Sequence, residues 1–98
     1  MQPKEISDLQ DAILAKHGCK SVYRRTEWVR EAFQGKTAWD GLVRVFKLIK
    51  HSKAKYCYAW SYREGNETKS TAVLGIPPVD SPQSAVKAAI ASKGRRTQ

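Results

Sequence analysis

Between residues 55 and 64 the chain reads KYCYAWSYRE, with Tyr56, Tyr58, Trp60 and Tyr62 alternating with the small residues Cys57, Ala59 and Ser61. Period-two alternation is the mark of a β-strand whose side chains point to opposite faces in turn. The spacing elsewhere is helical. Ile6, Leu9, Ile13 and Leu14 fall on one stripe of a helix over 3–17, with Glu5 and Asp8 near its start and Lys16 and His17 near its end, charges that complement the helix dipole. Pro3 suits the first helical position and Gly18 suits the cap. Strands are predicted over 21–34 and 37–49, joined by a turn at Gly35-Lys36. In the second of these, Val43 and Val45 share one face and Leu42, Arg44 and Phe46 the other. Gly41 within that pattern predicts a bulge or a close backbone approach. A basic loop leads into the strand at 55–63, and the turn EGNE leads into a fourth strand over 68–76 that stops at Pro77-Pro78. A second helix is predicted over 82–93. Ser81 is its N-cap, Pro82 its first residue, and Ala85, Val86, Ala89 and Ile90 its apolar stripe.

The order helix, four strands, helix with short connections predicts an antiparallel meander in a single α+β domain over 1–94, with 95–98 as a frayed basic tail. Both helices are expected on one face of the sheet, as a two-layer sandwich. Cys57 and Ala59, being small, would face the helices beside Val43 and Val45. The aromatic stripe would then lie on the open face near Leu42 and Arg44, with Trp28 and Arg30 of the first strand added to it. Burial of the aromatics as the core is the competing expectation, since such rings bury large areas.

Charge narrows the classes of partner. Eighteen Lys and Arg against nine Asp and Glu leave +9 on 98 residues, which attracts nucleic acid, anionic membranes and acidic protein clefts alike. Residues 41–63 hold Arg44, Lys47, Lys50, Lys53, Lys55 and Arg63 without an acid. No run of about 18 apolar residues marks a membrane span. The N-terminal MQPKEISDLQ resembles neither a secretory signal nor a transit peptide, so a cytoplasmic setting is expected, with Cys19 and Cys57 as reduced thiols.

Catalytic and metal chemistry find little support. His17, Cys19, His51 and Cys57 could supply four zinc ligands, but their spacings do not match the usual Cys and His pairs. No phosphate-cradling glycine loop, nucleophile elbow or HExxH motif occurs. No cofactor is expected, and the chain reads as no enzyme. Aromatics interleaved with basic residues suit base stacking on a sheet, although no RRM signature is present. The same residues also suit an apolar centre with a charged rim.

The run TAWDGLVRVFKLIKHSKAKYCYAW, with SPQSAVKAAI near the end, resembles small uncharacterised bacterial α+β proteins, a likeness that implies no activity. An engineered variant of such a scaffold would account for a Trp, Leu, Tyr and Arg patch on strands that could have been polar. The expectation is a non-catalytic module that recognises an acidic protein, as a binder or an inhibitor that plugs an enzyme cleft. Trp28, Leu42, Tyr56 and Tyr58 would anchor, and Arg30, Arg44 and Lys47 would steer. Single-stranded nucleic-acid binding through the same surface is the alternative, and an exposed sheet edge would also allow two copies to pair.

Overall fold

A computed structural model of the chain describes residues 3–96. Helix α1 (Lys4–His17) is followed by strands β1 (Ser21–Phe33), β2 (Lys36–Leu48), β3 (Tyr56–Glu64) and β4 (Glu67–Leu74), and by helix α2 (Pro82–Arg96). The four strands form one antiparallel sheet in the order β1-β2-β3-β4. The α+β class and the helix–meander–helix order agree with the sequence pattern. Among the described residues no helix is long and apolar enough to cross a membrane.

Local chemistry accounts for the boundaries. The N–H of Gly18 donates to the carbonyl of Leu14 and closes α1. The β1–β2 turn is Gln34-Gly35, both with positive φ, one residue earlier than expected; two such residues give a turn whose twist matches the strands. At the start of α2 the Ser81 hydroxyl accepts the N–H of Ser84, and the Ser84 hydroxyl accepts the N–H groups of Asp80 and Ser81. This is a capping box with serine in the place usually held by Glu or Gln. Helix α2 continues through Gly94 to Arg96, past its expected end. Of the expected frayed tail, residues 97–98 lie outside the described residues.

The expected placement of both helices on one face is corrected. The helices pack on opposite faces, and two separate cores result. Ile6, Leu9 and Ile13 of α1 pack on Phe46, Leu48, Cys57 and Ala59, with Ala72 and Leu74 beside them. Ala85 and Val86 of α2 pack with Val29, Val43, Val45, Tyr58 and Trp60, with Trp39, Tyr62 and Val73 around them. The cross-strand register fixes this division. Phe46 pairs with Cys57, and Val45 pairs with Tyr58, so Cys57 and Ala59 share a face with Phe46 and Arg44 rather than with Val43 and Val45. Both sides of KYCYAWSYRE are therefore interior: Cys57 is 0 % exposed and Tyr58 is 5 % exposed.

Each helix covers only part of its face. The α1 core gathers at the end of the sheet near the β2–β3 loop, through Phe46, Leu48, Cys57, Ala59, Ala72 and Leu74. The α2 core is shifted toward the two hairpin turns, through Val29, Trp39, Val43, Trp60 and Tyr62. The uncovered areas thus lie diagonally. One is the α1 side of the outer β1–β2 hairpin, and the other is the α2 side of the sheet next to the β2–β3 loop.

Candidate functional site

The β1–β2 hairpin outruns its neighbour. Strand β1 pairs with β2 as far as Phe33 and Lys36, while pairing of β2 with β3 stops at Arg44 and Ala59. The outer half of the hairpin runs past this pairing; one of its faces packs on Trp60 and α2 through Val29 and Trp39, and the other face is left open by α1. Trp28 and Leu42 face each other there across the strands, as do Arg30 and Asp40. Trp28 is 63 % exposed and Leu42 is 41 % exposed. The Trp28 Nε1–H donates to Asp40 Oδ1 at 2.7 Å, which ties the indole to the facing strand. Trp28, Arg30, Asp40 and Leu42 therefore form one small surface with an apolar centre.

Arg44 lies on the same face but turns inward. Its Nη2 is 2.6 Å from Glu5 Oε1, its Nε is 3.2 Å from the same oxygen, and its Nη1 donates to Thr26 Oγ1 at 2.8 Å. Ser61 donates to the other oxygen of Glu5. Burial pushes the Glu5 carboxyl up, but the hydrogen bonds from Ser61 and Arg44 and the charge of Arg44 outweigh it and hold the group below the usual carboxylate range. Arg44 is thus a structural tie between α1 and the sheet, not the free steering cation expected from the sequence.

The other three expected site residues lie on the opposite face. Tyr58 is enclosed in the α2 core, and burial raises its phenol above the ordinary value; it cannot anchor a partner. Lys47 pairs with Tyr56 across β2 and β3, and Val22 pairs with Lys47 across β1 and β2. These three side chains form an exposed row on the α2 side, at the loop end of the sheet. The loop itself is ordered by His51, whose Nδ1 accepts the N–H groups of Lys53 and Ala54. The seven expected residues therefore divide between opposite faces, and the exposed ones, Trp28, Arg30 and Leu42 against Lys47 and Tyr56, lie at opposite ends of the sheet.

The thiols and the other histidine have structural surroundings. Cys19 and Cys57 are both free and buried, and Cys19 Sγ donates to the carbonyl of Ile49 at 3.0 Å. His17 Nε2 lies 3.1 Å from the carbonyl of Ala72. Among the described residues no three of His, Cys, Asp and Glu gather as they would around a metal ion.

Sequence reasoning gave no role to Trp39. Its ring lies 5.9 Å from that of Trp60 and folds back over Gly41, where an added Cβ would come within 3.0 Å of it. Gly41 thus marks a close approach of a side chain, not the backbone approach expected, and the break in strand register lies nearby, at Ala38. Trp39, Trp60, Tyr62 and Ile90 of the α2 core help line an open groove of about 850 Å³ that extends to Lys16, Arg63 and Leu74. The alternation of 39 with 41 was the available signal.

The chain matches no protein-family model, no curated protein and no solved structure. The functional reading therefore rests on the surfaces themselves.

Proposed function

We propose that the chain is a non-catalytic binding module that recognises an acidic protein surface through the outer half of the β1–β2 hairpin. Trp28 and Leu42 are the anchors, and Arg30 is the cation beside them. The observation that carries this reading is the exposure of Trp28 next to Leu42 on the face of the hairpin arm opposite α2, which no helix covers among the described residues. A large indole held in water by a hydrogen bond to Asp40 contributes little to the fold. Trp and Arg are, by contrast, the side chains that most often dominate binding energy. The net charge of +9 favours an acidic counterpart. A projecting arm with an apolar centre also has a shape that enters a cleft, which is the form an enzyme inhibitor would take.

The test is selection of random peptides displayed against the folded protein. Enriched peptides are expected to combine Asp or Glu with an apolar side chain. Trp28→Ala should weaken them about tenfold or more, while Tyr56→Ala on the opposite face should change affinity less than about twofold. Peptides without an excess of acids, or affinities indifferent to Trp28→Ala, would overturn the reading.

A further inference from the structure

We infer that β1 is a self-association edge, and that two copies of the chain pair antiparallel along it with Trp28 on the two-fold axis. This goes beyond the proposed recognition of an acidic partner and does not depend on it.

The two edges of the sheet are treated differently. At β4, Lys16 Nζ donates to the carbonyl of Ser70 at 2.8 Å, and His17 Nε2 sits at the carbonyl of Ala72. Side chains of α1 thus occupy alternate outward carbonyls and block that edge from pairing. At β1 the Gln10 side chain covers the carbonyl of Ser21. Beyond that point the strand runs on to Phe33, and among the described residues β2 is its only neighbour in the sheet.

The register follows from two independent features. Strand β1 is irregular between Tyr23 and Arg25 and again between Glu31 and Ala32. The regular stretch between these breaks is Arg25–Glu31, and its middle residue is Trp28. Antiparallel pairing centred on Trp28 matches this stretch to itself, with side chains of each pair on the same face. Arg25 then faces the partner's Glu31, and Glu31 faces the partner's Arg25. Thr26 faces the partner's Arg30, and Glu27 faces the partner's Val29. No like charges meet. A shift of the centre to Glu27 would set that residue against its own copy, and a shift to Val29 would set Glu27 against the partner's Glu31, both unfavourable across strands. The match is self-complementary, as a two-fold interface requires. It also joins Leu42 and Trp28 of both copies into one continuous apolar strip.

Sedimentation velocity over a range of concentrations tests the inference. The wild-type chain should show a species of twice the monomer mass. Arg25→Glu alone and Glu31→Arg alone should each weaken it by about tenfold or more, because two attractive pairs become repulsive. Mixing the two variants should restore the dimer as a heterodimer, since every Glu then meets an Arg. This recovery also shows that neither variant has failed to fold. A chain that stays monomeric at all concentrations, a dimer indifferent to either reversal, or variants that do not recover on mixing would overturn it.

Discussion

Cys57 shows how burial governs a single side chain. It is fully enclosed between β2, β4 and α1, and burial, with the nearby Cys19 thiol adding to it and Lys16 opposing, pushes its thiol up to about 12. An unfolded cysteine ionises near 8.5. The folded protein therefore keeps a proton that the unfolded chain releases between about 8.5 and about 12. The stabilisation from the neutral thiol is fully present below that window and is lost as pH rises through it. Urea titrations near pH 7.5 and about pH 10.5 should show a marked fall in unfolding free energy for the wild type and a smaller fall for Cys57→Ala. Equal falls would show that other groups carry the alkaline dependence. The buried thiol is also a poor nucleophile, because only the thiolate reacts. Trp28 is the opposite case at the same scale: its indole lies in water, and its one polar atom is bonded to Asp40.

The elements fit by complementary volume. Helix α1 presents Ile6, Leu9 and Ile13 to the small side chains Cys57 and Ala59, while α2 presents Ala85, Val86 and Ala89 to Tyr58, Trp60 and Tyr62. Large meets small on each face, which gives dense packing on both. All four strands and both helices were legible from periodicity, because alternation and caps are local signals. The two faces of β3 were legible too, but not which helix covers which. Alternation states that two sets of side chains exist; only matching the sizes on helix and strand stripes assigns them. The same limit split the expected site. Leu42 and Lys47 look close in sequence, yet odd and even positions of β2 face opposite sides, and Arg44 reads as a surface cation until Glu5 is brought to it from a distant element. That contact yields a prediction. Glu5 joins α1 to Arg44 of β2 and Ser61 of β3, and Arg44 continues to Thr26, which also bonds Tyr23. Glu5→Gln should cost about 1–2 kcal/mol near neutral pH. Because the folded carboxyl titrates below its unfolded value of about 4.3, its contribution is present above that pH and vanishes as pH falls through the folded value. Thermal melts of both proteins should therefore converge in acid. A difference that persists there would assign the loss to packing instead.

At the scale of the whole molecule, two exposed surfaces are candidates for contact, and their separation makes them distinguishable. The arm with Trp28, Arg30 and Leu42 has an apolar centre. The other end has Lys47, Lys50, Lys53 and Lys55 beside the exposed Tyr56, with no acid anywhere in 41–63. The second arrangement is suited to phosphates, and nucleic-acid binding there is governed by release of counterions. A random single-stranded oligonucleotide should bind this end weakly, with affinity falling along a log-log slope of about −0.7 per phosphate neutralised. Reversing Lys50, Lys53 and Lys55 to Glu should abolish that binding, while Trp28→Ala should leave it within about twofold, since mutations on distant surfaces act independently. Acidic peptides on the arm should show the reverse dependence: strong sensitivity to Trp28 and a shallower response to salt, because apolar contact supplies part of their affinity. Fluorescence anisotropy of a labelled oligonucleotide and a labelled acidic peptide, titrated at two salt concentrations against the same variants, reads both sites together. If the oligonucleotide binds tightly at physiological salt and loses that affinity with Trp28→Ala, the aromatic arm is a base-stacking platform, and single-stranded nucleic acid replaces the acidic protein as its partner.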